Sequence, residues 1–197
     1  MRIISYSLKI TLLALVAVWT FSSCKDDEPT PDTATLKGTI TIENAELWAT
    51  WKDSGIVQLA LFPKFSLDPF PGAGWGDVPD NYYGPGVPGG RFALGAPAYT
   101  IDATYSPGVN GFTYELEVEP GTYSALALGF RHNHITDPSL KTATLGVHWD
   151  HPNEVSHGIK IDPIFNEPAP SIITVEKGDK PTIDFKADFA FVTVWFQ

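Results

Sequence analysis

Cysteine and basic side chains are scarce in this sequence, and each scarcity excludes a class of function. The chain has one cysteine, Cys24, so it has no second thiol for an intrachain disulfide or a Cys-ligated zinc site. Lys and Arg number 13 against 23 Asp and Glu, which gives a formal net charge of −10. An acidic chain repels phosphate backbones and lacks a polybasic patch for anionic lipids. Nucleic acid is therefore not expected as a partner.

A long apolar run is also missing. The run from Ile10 to Phe21 is shorter than the ~20 residues that a transmembrane helix needs. It is preceded by Arg2 and Lys9 and followed by small residues, which is typical of a secretory signal. An uncleaved signal anchor is the alternative. It is disfavoured because the charges from Lys25 onward are costly in a bilayer core.

The residues Phe21-Ser22-Ser23-Cys24 resemble the lipobox of bacterial lipoprotein signal peptides. The resemblance implies cleavage before Cys24, acylation of its thiol and new amino group, and a lipid anchor in the outer membrane. We therefore predict that residues 1–23 are a signal peptide and that Cys24 is the lipidated residue. The membrane is then a partner of the protein through this anchor.

An acidic cluster follows the cysteine and resembles the export signal of Bacteroidetes-type surface lipoproteins. The resemblance implies display at the cell surface. The cluster consists of Lys25, Asp26, Asp27 and Glu28. A solvated linker is the alternative, because runs of charge usually mean only that. In both cases residues 24–35 are predicted to form an extended acidic and proline-containing tether.

Alternating apolar and polar residues predict strands after the tether. Residues 37–42, 55–62, 171–176 and 183–189 have strand-like patterns. Apolar residues on both faces of 191–196 predict a central buried strand. No helical stripe follows the signal peptide. Residues 36–197 are therefore predicted to form a single all-β domain, an antiparallel β-sandwich.

Two of the predicted strands flank a Pro-Gly turn. Residues 112–118 place Phe112 and Tyr114 on one face and Thr113 and Glu115 on the other. Residues 122–130 form the return strand, and Pro120-Gly121 stands between the two. This arrangement predicts a β-hairpin.

The residues around that turn are similar to the transthyretin-like, carboxypeptidase-regulatory-like sandwiches. The similarity covers residues 37–40, 111–116 and 119–123, including Pro120-Gly121-Thr122-Tyr123. It implies that Gly121 permits a tight turn and that the Tyr123 hydroxyl bonds backbone across the corner. It also implies a binding, spacing or stabilising module and not a catalytic one. Another immunoglobulin-like sandwich is the alternative fold.

All five histidines lie between positions 132 and 157. His132 and His134 would point to the same side if their strand continued. With His148 or His151 and a carboxylate, they would supply an imidazole and carboxylate shell for zinc or copper. The alternative is that all of them are exposed loop residues, because no spacing-specific metal motif is present.

Residues 69–97 are rich in glycine, proline and aromatic residues, and they predict a long loop. Trp75, Tyr82 and Tyr83, with Asp77 and Asp80 beside them, would form a platform that stacks on a sugar ring. The alternative is that the aromatic rings cover the core of the sandwich.

Catalytic motifs are missing: the chain has no Gly-x-Ser-x-Gly elbow and no phosphate-binding loop. We therefore predict a non-enzymatic outer-membrane lipoprotein that acts as a binding or assembly module at the cell surface. Two alternatives stay open. One is a glycan-binding accessory protein that uses the 69–97 loop, and the other is a metal-binding protein that uses the histidines.

Overall fold

A computed structural model of the chain describes residues 32–63, 96–137, 140–158, 160–161 and 165–196. The strands in these residues are β1 (Ala34–Glu43), β2 (Gly55–Phe62), β3 (Tyr99–Ala103), β4 (Gly111–Val118), β5 (Gly121–Tyr123), β6 (Ala125–His132), β7 (Thr142–Val147), β8 (Lys160–Ile161), β9 (Phe165–Asn166), β10 (Ile173–Val175) and β11 (Phe185–Asp188). A 3₁₀ turn at Ala45–Leu47 precedes helix α1 (Trp48–Trp51), and helix α2 (Ala190–Trp195) follows β11. None of the helices in the described residues is long and apolar enough to span a membrane.

Two sheets and two short ribbons hold these strands. The first sheet has the order β11-β1-β4, and the second has the order β3-β2-β6-β7. β5 pairs with β10, and β8 pairs with β9. Every pair is antiparallel except β1 with β11, which run parallel with Ile40 opposite Phe185. The described residues therefore form the mostly β, sandwich-like fold that the alternation predicted, but the parallel pair of β1 and β11 departs from the predicted antiparallel arrangement.

Both sheets bury one face in a shared apolar core. Leu36, Ile40 and Ile42 of β1 are at most 2% exposed, and the intervening residues of this strand are more exposed. β2 and β6 contribute further side chains to the same core. Each fully buried aliphatic or aromatic side chain contributes roughly 1.5–3 kcal/mol through removal from water. The predicted alternation of residues 183–189 is confirmed, because Ile183, Phe185, Ala187 and Phe189 are all buried.

The predicted hairpin around Pro120-Gly121 is wrong. β4 pairs with β1 in the first sheet, whereas β6 pairs with β2 and β7 in the second. The short strand β5, which directly follows Pro120, pairs with β10. The turn therefore carries the chain from one sheet to the other. A Pro-Gly step indicates that the chain changes direction, but it does not identify the strand that pairs next.

The corner itself contains the predicted tyrosine contact. The Tyr123 hydroxyl donates a hydrogen bond of 2.8 Å to the Glu119 carbonyl, and the Glu119 amide donates one of 3.0 Å to the Tyr99 hydroxyl. Gly121 was expected to permit a tight turn, but the corner does not depend on glycine. Gly121 is not among the glycines with positive φ, and a Cβ there would meet no atom within 4 Å.

The predicted central strand over residues 191–196 is also wrong, because these residues form α2 and its last turn. The Phe196 amide donates to the Val192 carbonyl at 3.0 Å, which is the spacing of a helix. Phe189 and Val192 are fully buried and Trp195 is 9% exposed, whereas Val194 is 65% exposed. The buried positions recur every three residues, so the run packs on the core through one helical face.

Candidate functional site

The pairing of β1 with β11 is preceded by an interruption. The Ile183 amide donates to the Lys37 carbonyl at 2.7 Å, and regular pairing begins at Ile40 and Phe185. Between these points the Thr39 amide donates to Asp184 Oδ1 at 2.7 Å. A side-chain carboxylate thus takes the place of a main-chain acceptor at this one position.

The main-chain acceptor that Asp184 replaces is the Ile183 carbonyl, and this carbonyl faces the core. The Ile183 oxygen accepts a hydrogen bond of 2.8 Å from the buried Tyr114 hydroxyl. It lies where residue 38 would carry a side chain, since a Cβ on Gly38 would be 2.0 Å from it. Glycine at this position is what allows the close approach of the two backbones.

An open groove lies at the interruption, on the first sheet. Its volume is about 520 Å³, and besides Gly38 and Tyr114 its lining side chains are Lys37, Thr39, Thr113, Glu115, Thr182 and Asp184. All six are exposed. We call this feature the β1 groove. It presents three hydroxyls, two carboxylates and one ammonium group to solvent.

The β1 groove has one positively charged and two negatively charged side chains. Lys37 and Glu115 are direct partners in the β1–β4 register, and Asp184 adds a second carboxylate. Burial, reinforced by the negative charge of Asp184, raises the pKa of Tyr114. Its hydroxyl therefore stays protonated at neutral pH and continues to donate to Ile183.

Two of the predicted metal ligands, His132 and His134, are neighbours. β6 ends at His132, and the His134 amide donates to His132 Nδ1 at 3.1 Å. The centroids of the two rings are 5.7 Å apart. Burial, together with the nearby His134, lowers the pKa of His132. His132 is therefore neutral near pH 7, with its proton on Nε2.

Aromatic side chains surround His132 at this end of the second sheet. Its ring centroid lies 5.1 Å from that of Phe196 and 6.3 Å from those of Trp51 and Phe130. Gly55, opposite His132 in the register, leaves room for the Phe130 ring, since a Cβ there would lie 2.5 Å from Phe130 Cζ. His132 is thus a half-buried member of an aromatic cluster.

The other histidines make separate local contacts. Burial lowers the pKa of His148, against an opposing effect of Asp150. The His151 ring centroid lies 4.7 Å from that of Trp149. His157 Nδ1 donates to the Thr144 carbonyl at 2.7 Å, and its ring stacks on Phe191 at 4.2 Å. Within the described residues, no three His, Cys, Asp or Glu side chains converge as a metal site.

Several predicted site residues lie outside the described residues. They are the lipidated Cys24, the export residues Lys25, Asp26, Asp27 and Glu28, and the loop residues Trp75, Tyr82 and Tyr83. The same holds for residues 69–95 of the predicted loop.

The β1 groove was missed by the sequence analysis. Its residues come from three distant segments, 37–39, 113–115 and 182–184, and no motif connects them. One signal was present: Gly38 interrupts an otherwise regular strand pattern, and an isolated strand glycine often marks close backbone approach.

The fold and the groove define a class, a sandwich-like β domain with a polar surface groove. The chain matches no protein-family model, no curated protein and no solved structure.

Proposed function

We propose that this protein is an outer-membrane lipoprotein, anchored through Cys24 and displayed at the cell surface, whose transthyretin-like domain is a non-catalytic binding or assembly module. The observation that carries the proposal is the sequence Phe21-Ser22-Ser23-Cys24 directly after a short apolar run. Lys25 and the three acidic residues after it, Asp26, Asp27 and Glu28, support display on the outer face of the membrane.

Membrane attachment has to come from the acyl chains on Cys24. With a net charge of −10, the chain gains no attraction to anionic lipid headgroups. Each buried methylene contributes about 0.8 kcal/mol, so one chain holds a protein only weakly and several hold it stably. A multiply acylated Cys24 meets this requirement.

The described domain supports a binding role through its surface. Four of the six lining side chains of the β1 groove stand on the paired strands β1 and β4, and binding groups on strands are held more rigidly than groups on loops. The hydrogen bond between Tyr123 and Glu119 is the feature that supports the transthyretin-like assignment of the fold.

Replacement of Cys24 tests the anchor. We expect Cys24→Ala to remain unprocessed and to lose label when cells are grown with radioactive palmitate. We also expect the mature, lipid-anchored form to disappear from carbonate-washed outer membranes. Ser22→Ala, which keeps a small residue two positions before Cys24, is the matched control and should retain both label and membrane attachment.

The same cells are used to test on which side of the outer membrane the domain lies. Protease added to intact cells should remove the wild-type domain while a periplasmic marker protein survives. Palmitate labelling that persists in Cys24→Ala refutes the anchor. Protection of the wild-type domain in intact cells refutes surface display.

A further inference from the structure

We propose that the β1 groove binds a saccharide, either uncharged or bearing an amino group. The proposal rests on the binding role suggested above and gives it a site and a ligand class. The residues that form this site differ from those of the aromatic platform predicted in residues 69–97, because they come from β1, β4 and the segment before β11.

The lining matches the hydrogen-bonding pattern of sugar hydroxyls. Thr39, Thr113 and Thr182 each present a hydroxyl, which both donates and accepts. Glu115 and Asp184 only accept when ionised, and Lys37 only donates. A sugar ring carries several neighbouring hydroxyls that also donate and accept, so it can pair with all three kinds of group. An apolar ligand would leave these groups without partners.

The charge of the groove selects against anionic ligands. One ammonium group and two carboxylates line it, and the chain as a whole carries a net charge of −10. Phosphate, sulfate and uronic acid groups are therefore repelled. An amino group on the sugar is attracted by Glu115 and Asp184, and a neutral sugar is tolerated.

The groove is fixed before any ligand arrives. Asp184 is held by the 2.7 Å hydrogen bond from the Thr39 amide. The peptide beneath it is held by the 2.8 Å hydrogen bond from Tyr114 to Ile183. Lys37, Thr113 and Glu115 stand on paired strands. Binding therefore needs little rearrangement of backbone, which lowers its entropic cost.

The groove also predicts weak binding at a single site. Its volume of about 520 Å³ is within the usual range of ligand sites, but such sites are mostly apolar and enclosed. Among the described lining residues the one aromatic side chain, Tyr114, is buried and bonded to Ile183, so none of these residues offers an exposed ring for stacking on the sugar. We expect a Kd on the order of 1 mM, raised in avidity when many copies share a membrane.

A glycan array tests the proposal. The full chain, displayed in many copies on lipid vesicles so that avidity is kept, is applied to arrayed neutral, amino-bearing and sulfated oligosaccharides at high density. We expect binding to neutral or amino-bearing glycans and none to sulfated ones. Titration with the best hit, followed by NMR chemical shifts because the expected Kd is too weak for calorimetry, should show a loss of about tenfold or more in affinity for Glu115→Gln and a smaller loss for Thr113→Ala.

Two variants on the same sheet face serve as controls. Glu117→Gln and Thr41→Ala change the same residue types at exposed positions of β4 and β1 outside the groove lining, and both should bind as the wild type does. Binding only to sulfated glycans, no binding to any arrayed glycan, or equal affinities in groove and control variants would each overturn the proposal. Membrane attachment of Glu115→Gln, measured in parallel, keeps this result separate from the test of the anchor.

Discussion

Gly38 controls how the last strand joins the first sheet. A side chain at this position would occupy the place of the Ile183 carbonyl, and that carbonyl would then lose its hydrogen bond from Tyr114. An unsatisfied buried hydroxyl costs about 1–3 kcal/mol. Gly38 thus allows the hydrogen bond between Tyr114 and Ile183, which lies beneath the β1 groove.

We expect Gly38→Ala to lower the free energy of unfolding by about 1–3 kcal/mol, because the new Cβ meets backbone that cannot move aside. Gly121→Ala is the matched control. A Cβ at 121 meets no atom within 4 Å, so this change should be neutral or stabilise by about 0.4–1 kcal/mol through the unfolded state. Urea unfolding followed by tryptophan fluorescence measures both. Similar losses in the two variants would contradict the close contact at Gly38.

At the scale of the element, α2 shows why an apolar run is ambiguous. Residues 191–196 are almost entirely apolar, so they fit a two-residue period and a helical period equally well. The tertiary environment decides between these periods. Phe189 and Val192 reach the core together, and the Trp195 indole donates to the Leu140 carbonyl at 2.9 Å. Neither contact is visible in the local sequence.

Two valines distinguish the helix from a strand. Val192 is fully buried and Val194 is 65% exposed, whereas a strand would place both on one face. We expect Val192→Ala to cost about 1–3 kcal/mol of unfolding free energy and Val194→Ala to cost less than about 0.5 kcal/mol. Chemical denaturation of the two variants provides the comparison, and equal losses would favour the strand.

The strands themselves were largely predictable, and their partners were not. Alternation identified the strands over residues 37–42 and 183–189, because period and burial are local properties. The partner of β4 depends on which distant strand has a complementary face. Pro120-Gly121 therefore suggested a hairpin with 122–130, whereas β4 pairs with β1.

The candidate site was even less accessible from sequence. His132 and His134 were expected to be close and are, since only one residue separates them in the chain. The β1 groove joins residues about 70 to 145 positions apart, such as Thr113 and Asp184 with Thr39. Sequence spacing gives no measure of such distances.

At the scale of the whole molecule, buried titratable groups limit stability at both ends of the pH range. Burial lowers the pKa of His132 and of His148, so the unfolded chain binds more protons below about pH 6.5 and stability falls there. Burial raises the pKa of Tyr114, and burial, together with Tyr99 and Glu119, raises that of Tyr123 to about 12. The unfolded chain releases these protons first, above about pH 10, so stability falls there too.

We expect the free energy of unfolding to be greatest between about pH 7 and 10. Tyr114→Phe should lower it by about 1–3 kcal/mol at pH 8, because the Ile183 carbonyl loses its donor. The same variant should lose less stability between about pH 10 and 11 than the wild type does. Urea titrations at a series of pH values measure both effects. An alkaline decline of equal steepness in the two proteins would contradict the role of Tyr114.

The parallel pairing of β1 with β11 also determines when the first sheet can be completed. β1 lies between β4 and β11, and about 140 residues separate it from β11 in the chain. In the export that the proposed function requires, the chain would cross a membrane from its amino end, so β1 would emerge first and β11 last among these strands. The sheet then stays incomplete until nearly the whole sequence has crossed, and pairing between such distant segments is intrinsically slow. Because the sheet closes late, such a chain would remain unfolded during translocation and would fold stably only after it had crossed the membrane.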